Sequence, residues 1–72
     1  MSNPEAPPTV GELLQRRRKA LGLRQEEVAV LAEVGIGTVA RVERGEDARM
    51  STIESIADAL GTDVLTLLSE AK

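Results

Sequence analysis

The sequence predicts an all-α domain, a compact bundle of five short helices, and three observations support this fold class. Apolar residues recur at the i, i+3, i+4 spacing of amphipathic helices in successive segments. Glycines and helix-capping residues separate these segments. The 72 residues contain no aromatic side chain, so Leu, Val, Ile and Ala must fill the core, which suits closely packed short helices. A chain of this length has room for one small domain.

The first helix follows a polar segment. Residues 1–9 contain three prolines and show no periodicity, which predicts a disordered or extended arm. The folded domain is expected over residues 10–70. Its first helix begins at Val10 and ends before Gly22, a helix-stop residue. One face of this helix is predicted to be apolar and buried, through Val10, Leu13, Leu14 and Leu21.

The next two helices are predicted in residues 25–45, where the apolar spacing fits two helices packed nearly at right angles across a tight turn. Ala29 is small, as the close approach of the two helices requires. Val34 is expected to fill the turn. The other positions predicted to be buried are Val28, Leu31 and Ala32 on the second helix and Val39 and Val42 on the third. This arrangement is a helix-turn-helix, which indicates DNA binding.

The last two helices follow a polar loop. Ser51 and Glu54 have the spacing of a capping box, which predicts that the fourth helix starts at Ser51. Its expected buried residues are Ile53, Ile56, Ala57 and Leu60, and Gly61 closes it. Asp63 is expected to cap the fifth helix. That helix has an excess of apolar residues, Val64, Leu65, Leu67 and Leu68, which favours a homodimer formed through it.

Composition excludes several functions. The chain has no Cys and no His, which removes disulfides, thiol chemistry and nearly all zinc sites, so we expect no metal and no cofactor. Without His, Cys or Tyr, no acid–base constellation can be assembled, and we expect no enzyme activity. There is no apolar run of the roughly 20 residues that cross a bilayer and no secretory signal pattern, so the expected location is the cytoplasm, with no membrane partner.

The charge is unevenly distributed. The formal net charge is −3, which argues against a protein that coats nucleic acid by bulk charge. Residues 16–49, however, contain eight basic and six acidic side chains. The basic run of residues 16–19 occupies successive helix positions that point in all directions. It therefore does not form one patch, and a solvated surface is expected for Arg16 and Lys19.

Three motifs resemble the Xre-type helix-turn-helix family, the group that includes the lambda and 434 repressors and Cro. They are G-L-x-Q-E-E-V-A at residues 22–29, T-V-x-R-V-E-R-G at residues 38–45, and A-x-A-L-G at residues 57–61. The likeness extends over residues 10–68. It implies a lambda repressor-like DNA-binding fold and double-stranded DNA as the partner. In this family, a structural ion pair joins the positions of Arg18 and Glu43.

The resemblance also implies which residues contact DNA. The glutamine that opens the second helix touches the DNA backbone or supports a base contact, and base-reading positions lie at the start and outer face of the third helix. The predicted DNA-binding residues are Arg24, Gln25, Gly35, Ile36, Gly37, Thr38, Arg41, Arg44 and Arg49. Of these, Arg44 and Arg49 are expected to contact phosphate. The arm of residues 1–9 has no Lys or Arg to add.

The sequence departs from the family pattern at three places. Residues 35–37 are Gly, Ile and Gly where the family has polar side chains, so Arg41 carries most of the hydrogen-bonding capacity for bases. Glu33 replaces the turn glycine, which predicts backbone strain. Arg24 replaces the Ser or Thr cap of the second helix, which removes the side-chain cap and adds a positive charge.

Two functions of different classes follow. The first is a sequence-specific DNA-binding transcriptional regulator, a repressor, that reads the major groove with the third helix and binds a palindrome as a dimer. The alternative is a protein-interaction module on the same fold, such as an antitoxin or antirepressor component with a protein partner. The acidic net charge and the apolar residues of the third and fifth helices favour the alternative.

Overall fold

The computed structural model describes residues 8–71, in which all regular secondary structure is helical. The helices are α1 (Val10–Ala20), α2 (Gln25–Ala32), α3 (Ile36–Glu43), α4 (Met50–Ala59) and α5 (Val64–Glu70). This confirms the predicted all-α class with five helices. α2 packs against α3 and α4, while α1 packs against α3, α4 and α5. The prediction of a disordered arm over residues 1–7 lies outside the described residues.

Thr9 belongs to the folded domain, contrary to the prediction that placed it in the arm. Its hydroxyl oxygen accepts a hydrogen bond from the Glu12 N–H at 3.1 Å, and its backbone is extended, so it is the N-cap of α1. A threonine cap satisfies one of the free N–H groups in the first helical turn, typically at a gain of about 1 kcal/mol.

Most of the predicted core is present. The buried apolar residues come from all five helices and form one cluster: Leu13, Leu14, Val28, Ala29, Val39, Val42, Ile56, Ala57, Leu60 and Leu67. Val10, Leu23, Ala32, Val34 and Ile53 pack against this cluster and are partly buried. The apolar spacing therefore located the core-facing side of every helix.

Two predicted core residues are exposed instead. Leu21 is 49% exposed because α1 ends at Ala20 and Leu21 is its C-cap, so the residue has left the buried face of the helix. Leu31 is 58% exposed. α2 turns its buried side toward α3 and α4 through Val28 and Ala29, which leaves Leu31 on the solvent side.

The predicted capping box at Ser51 is wrong. α4 begins one residue earlier, at Met50, and its N-cap is Arg49, whose side chain makes no capping hydrogen bond. Ser51 lies inside the helix, where its carbonyl accepts a hydrogen bond from the Ser55 hydroxyl at 2.9 Å. By contrast, Asp63 caps α5 as predicted: its carboxylate accepts a hydrogen bond from the Thr66 N–H at 2.8 Å.

Arg17 stabilises the other end of α4. Its Nε donates to the carbonyl of Leu60 at 3.1 Å, and its Nη2 lies 3.5 Å from the carbonyl of Gly61. A cationic side chain at a helix C-terminus satisfies free carbonyl groups and opposes the negative end of the helix dipole. Arg17 was expected only to extend along the surface, so its capping role is a finding of the tertiary structure.

Candidate nucleic-acid interface

α2 and α3 are joined by a tight turn whose geometry depends on Glu33. Its φ of 57° and ψ of 43° are left-handed, so the predicted departure from ordinary backbone is present at this non-glycine residue. The Val34 N–H then donates to the Ala29 carbonyl at 3.0 Å, which closes the end of α2. α3 starts two residues later, with its first turn exposed to solvent.

A buried ion pair fixes the helix-turn-helix to α1. Arg18 donates to Glu43 through two bonds, Nε to Oε2 at 2.6 Å and Nη2 to Oε1 at 3.0 Å. Its third nitrogen, Nη1, donates to the Leu23 carbonyl at 2.8 Å. The predicted pair is therefore present, in the bidentate geometry that is strongest for arginine and carboxylate. No buried side-chain nitrogen or oxygen within residues 8–71 lacks a hydrogen-bond partner.

Gln25 joins the same network. Its Nε2 donates to Glu43 Oε1 at 2.9 Å, so the first residue of α2 is tied to the last residue of α3. The amide nitrogen is thus used inside the protein, which gives Gln25 a positioning role at the start of α2. Whether Gln25 also contacts DNA stays a prediction.

The network determines the charge state of Glu43. Burial by itself raises the pKa of this carboxyl, but hydrogen bonds from Arg18 and Gln25 and the charge of Arg18 outweigh burial and lower it below the ordinary value. The hydrogen bond from the carboxylate in turn raises the pKa of Arg18, despite its burial. Both groups are therefore ionised at neutral pH.

A polar cleft lies between α3 and the start of α4. It has a volume of about 290 Å³ and is lined by Thr38, Arg41, Val42, Asp47, Ala48, Arg49 and Thr52. The structure thus brings together three of the predicted DNA-binding residues, Thr38, Arg41 and Arg49. Arg41 is exposed, and its Nη2 donates to the Thr38 hydroxyl at 3.4 Å.

Two residues of this cleft were missed by sequence reasoning. Asp47 places a carboxylate beside the two arginines, and Thr52 adds a hydroxyl from the first turn of α4. Thr52 is three residues after Arg49, a spacing that puts both on one side of a helix start. That signal was available, but the false capping box directed attention to Ser51.

Both helix N-termini beside the cleft lack a side-chain cap. Gly35, the N-cap of α3, has no side chain, and Arg49, the N-cap of α4, makes no capping bond. The first N–H groups of a helix carry partial positive charge, and a phosphate oxygen can take the place of the missing cap. Arginines and free N–H groups therefore give this face the donors that a nucleic-acid backbone requires.

The remaining predicted residues lie around the cleft. Gly35, Ile36 and Gly37 form the exposed start of α3, and Ile36 is 52% exposed. Arg44 and Arg24 do not line the cleft, and each is paired with a carboxylate. Arg44 Nε is 2.8 Å from Glu46 Oε2, and Arg24 lies 3.5 Å from both Glu26 and Glu27.

The start of α2 is held by its backbone rather than by a side-chain cap. As predicted, Arg24 provides no cap, but the Glu27 carboxylate accepts a hydrogen bond from the Arg24 N–H at 2.8 Å. That bond lowers the pKa of Glu27. The glutamate of the Q-E-E motif therefore stabilises the beginning of α2.

A larger groove of about 800 Å³ lies between α4 and α5, and its charge is unsuited to DNA. Its acidic lining residues are Glu54, Asp58 and Asp63, and its apolar ones include Met50 and Leu65. No Lys or Arg is among the residues that line it. Because carboxylates repel phosphate, the α3–α4 cleft is the better nucleic-acid site despite its smaller volume.

The fold and this interface define a helix-turn-helix DNA-binding protein. A family model described as a helix-turn-helix domain matches residues 9–70, and the chain belongs to that family. It is a DNA-binding transcriptional regulator. No curated protein matches the chain significantly. Among residues 8–71, no helix is both long enough and apolar enough to span a membrane.

Solved structures of gene regulators resemble the chain over most of its length. The restriction-modification controller protein C.AhdI of Aeromonas hydrophila is 34% identical, with a TM-score of 0.74, and the match covers 81% of this chain and 89% of that one. The clp gene regulator ClgR of Corynebacterium glutamicum is similar in two structures. One is 30% identical with a TM-score of 0.76, covering 86% of this chain and 82% of ClgR. The other is 28% identical with a TM-score of 0.78, covering 92% and 76%.

Proposed function

We propose that the chain is an Xre-type regulator, of the lambda and 434 repressor and Cro-like kind, that represses transcription by binding a specific DNA sequence through α3. The observation that supports this most directly is the cleft in which Arg41, Arg49 and Thr38 meet beside two uncapped helix N-termini. The role is binding without a chemical reaction and without a cofactor. It requires access to DNA and therefore a cytoplasmic location.

Base recognition is assigned to the exposed side of α3. Arg41 has the guanidinium that fits guanine O6 and N7, a contact worth about 1–3 kcal/mol of discrimination. Ile36 is exposed at the first position of the helix and has the apolar surface to contact a thymine methyl group. Gly35 and Gly37 carry no side chain, which allows the backbone to approach the DNA closely. Arg41 is the main source of sequence preference in this proposal.

Phosphate contacts are assigned to the residues around α3. Arg49 lines the cleft with Arg41. Arg44 and Arg24 are exposed at the end of α3 and the start of α2. Arginine is well suited to phosphate because its planar donors match two oxygens at once. Gln25 contributes by holding the start of α2 against Glu43.

A homodimer formed through α5 is the proposed binding unit, with half-sites about 10 bp apart in a palindromic operator. The four apolar residues of α5 do not contribute equally to such an interface. Leu67 is 4% exposed and belongs to the core of its own chain, and Val64 is partly buried. Leu65 and Leu68 are exposed, so they supply the apolar surface of α5 that a second copy would cover.

The first experiment measures the salt dependence of DNA binding. Genomic fragments are selected by retention on the protein, and their affinity is measured by mobility shift at several salt concentrations. Because arginine–phosphate contacts displace counterions, affinity should fall steeply as salt rises. Arg41→Ala should weaken binding to a selected fragment by at least tenfold, within the range of one lost bidentate base contact.

Arg16→Ala is the matched control. Arg16 is an exposed arginine of α1, and its loss removes the same charge away from the cleft. Its affinity should stay close to that of the unmodified protein. No retained fragment, or an affinity that does not respond to salt, would contradict the proposed function and favour the protein-interaction alternative.

A second experiment tests the dimer. Leu65→Lys should convert a dimer into a monomer, measured by analytical ultracentrifugation, because it places a charge in the apolar contact. Val30→Lys is a close control, since Val30 of α2 is 77% exposed and Leu65 is 78% exposed. Val30→Lys should remain dimeric. A dimer that persists in Leu65→Lys would exclude this face as the contact.

A further inference from the structure

Two of the four arginines around the proposed interface are already bound by carboxylates of the same chain. Arg44 Nε donates to Glu46 Oε2 at 2.8 Å, and Arg24 lies near Glu26 and Glu27. In the part of the chain that the structure describes, neither Arg41 nor Arg49 has a carboxylate oxygen within 4 Å. The interface therefore contains two arginines free of ion pairs and two that are occupied.

We propose that Glu46 competes with DNA phosphate for the guanidinium of Arg44 and so keeps the affinity for DNA below the value that the arginines alone would give. The inference rests on the proposed function and assigns a regulating residue to the same site. A carboxylate and a phosphate use the same N–H donors of arginine, so they exclude each other from those donors. Binding of phosphate to Arg44 Nε requires that its bond to Glu46 be broken.

The backbone keeps Glu46 close to Arg44 whether or not the bond is made. The two residues are separated only by Gly45, whose N–H donates to the Val42 carbonyl at 2.9 Å. The Glu46 N–H donates to the Arg41 carbonyl at 3.1 Å. These two bonds hold the loop against the end of α3. When Arg44 turns to a phosphate, the Glu46 carboxylate remains beside the DNA and repels it.

The pair also alters the salt dependence. Each phosphate that a protein cation neutralises contributes about −0.9 to the slope of log affinity against log salt. Arg44 and Glu46 together have no net charge, so their combined contribution is smaller than that of a free arginine. Removal of the carboxylate charge should therefore make the slope steeper by up to about 0.9.

The experiment is a double-mutant cycle of wild type, Glu46→Gln, Arg44→Gln and the double variant. Binding to a labelled duplex of mixed sequence, about 20 bp long, is followed by fluorescence anisotropy at several salt concentrations. A nonspecific duplex is suitable because phosphate contacts do not depend on sequence. Circular dichroism melts verify that all variants are folded, as expected for exposed side chains.

Glu46→Gln should bind the duplex roughly threefold to fivefold more tightly, the upper range for an exposed ion pair. The gain should disappear when Arg44 is also replaced. Glu70→Gln is the control: it removes one exposed carboxylate from α5, which packs against α1 and α4. Its gain in affinity should be smaller than that of Glu46→Gln.

Two results would overturn the inference while leaving the proposed function intact. One is a Glu46→Gln affinity equal to that of Glu70→Gln. The other is the same gain from Glu46→Gln with and without Arg44, which would mean general repulsion of DNA and no competition. If the wild type and every variant fail to bind the duplex even at low salt, the proposed function fails together with the inference.

Discussion

Arg18→Ala is expected to destabilise the protein by about 3–5 kcal/mol, the usual cost of removing one partner of a buried ion pair. Glu43 would remain almost fully buried, with only the Gln25 amide and no cation to compensate its charge. The Leu23 carbonyl would also lose its donor. A small domain is stable by only about 5–15 kcal/mol in total. The loss should therefore appear as a large fall in the urea midpoint.

Arg16→Ala is the control for this measurement as well. Arg16 lies two residues earlier on α1 and is exposed, so its replacement should change stability by less than about 0.5 kcal/mol. A loss below about 1 kcal/mol in Arg18→Ala would show that the ion pair contributes little net stability.

The same pair predicts a dependence of stability on pH. Because the pKa of Glu43 is lowered in the folded protein, the unfolded chain binds its proton more readily. The contribution of Glu43 is thus complete above the ordinary value of 4.5 and is lost as the pH falls through the lowered one. In Glu43→Gln, the decline of the unfolding free energy below pH 4.5 should be smaller than in the wild type. An identical decline would mean that other carboxyls cause it.

Gly11→Ala is expected to destabilise the protein by about 3 kcal/mol, at the upper end of the usual range for overpacking. In an ordinary helix, this change stabilises by up to about 1 kcal/mol. Here a Cβ on Gly11 would lie 1.7 Å from the carbonyl oxygen of Val42 and 2.8 Å from its carbonyl carbon. Because the obstacle is backbone, no side chain can rotate away, and α1 must separate from α3.

Gly37→Ala is the matched control, since Gly37 is also helical but its Cβ would meet nothing within 4 Å. It should stabilise the protein by up to about 1 kcal/mol. Thermal and urea unfolding of the two variants should therefore change in opposite directions. A gain in stability from Gly11→Ala would mean that α1 and α3 are not in close contact at this point.

Gly11 illustrates what sequence reasoning could not reach. Nothing in the spacing of Val10, Leu13 and Leu14 indicates that the glycine between them touches the backbone of α3. The contact depends on how two helices cross, which is set by the whole core. The same limit explains Arg17, whose capping of α4 joins residues more than forty positions apart in the chain.

The predicted DNA-binding residues divide along the same line. The motif placed Arg41 on the outer side of α3 and Arg18 against Glu43, because helical periodicity and charge burial are local or pairwise constraints. It gave no reason to separate Arg41 and Arg49 from Arg24 and Arg44. That distinction depends on which carboxylates lie beside each guanidinium once the loops are in place.

By itself, the sequence determined the all-α class, the number of helices, most of the core and the helix-turn-helix, because apolar periodicity, capping residues and glycines act over a few neighbouring positions. The tertiary structure decided which apolar residues remain exposed, where α4 begins, and which arginines are free to meet phosphate. Those properties depend on helix crossing and on side chains distant in sequence, and local patterns do not encode such distances.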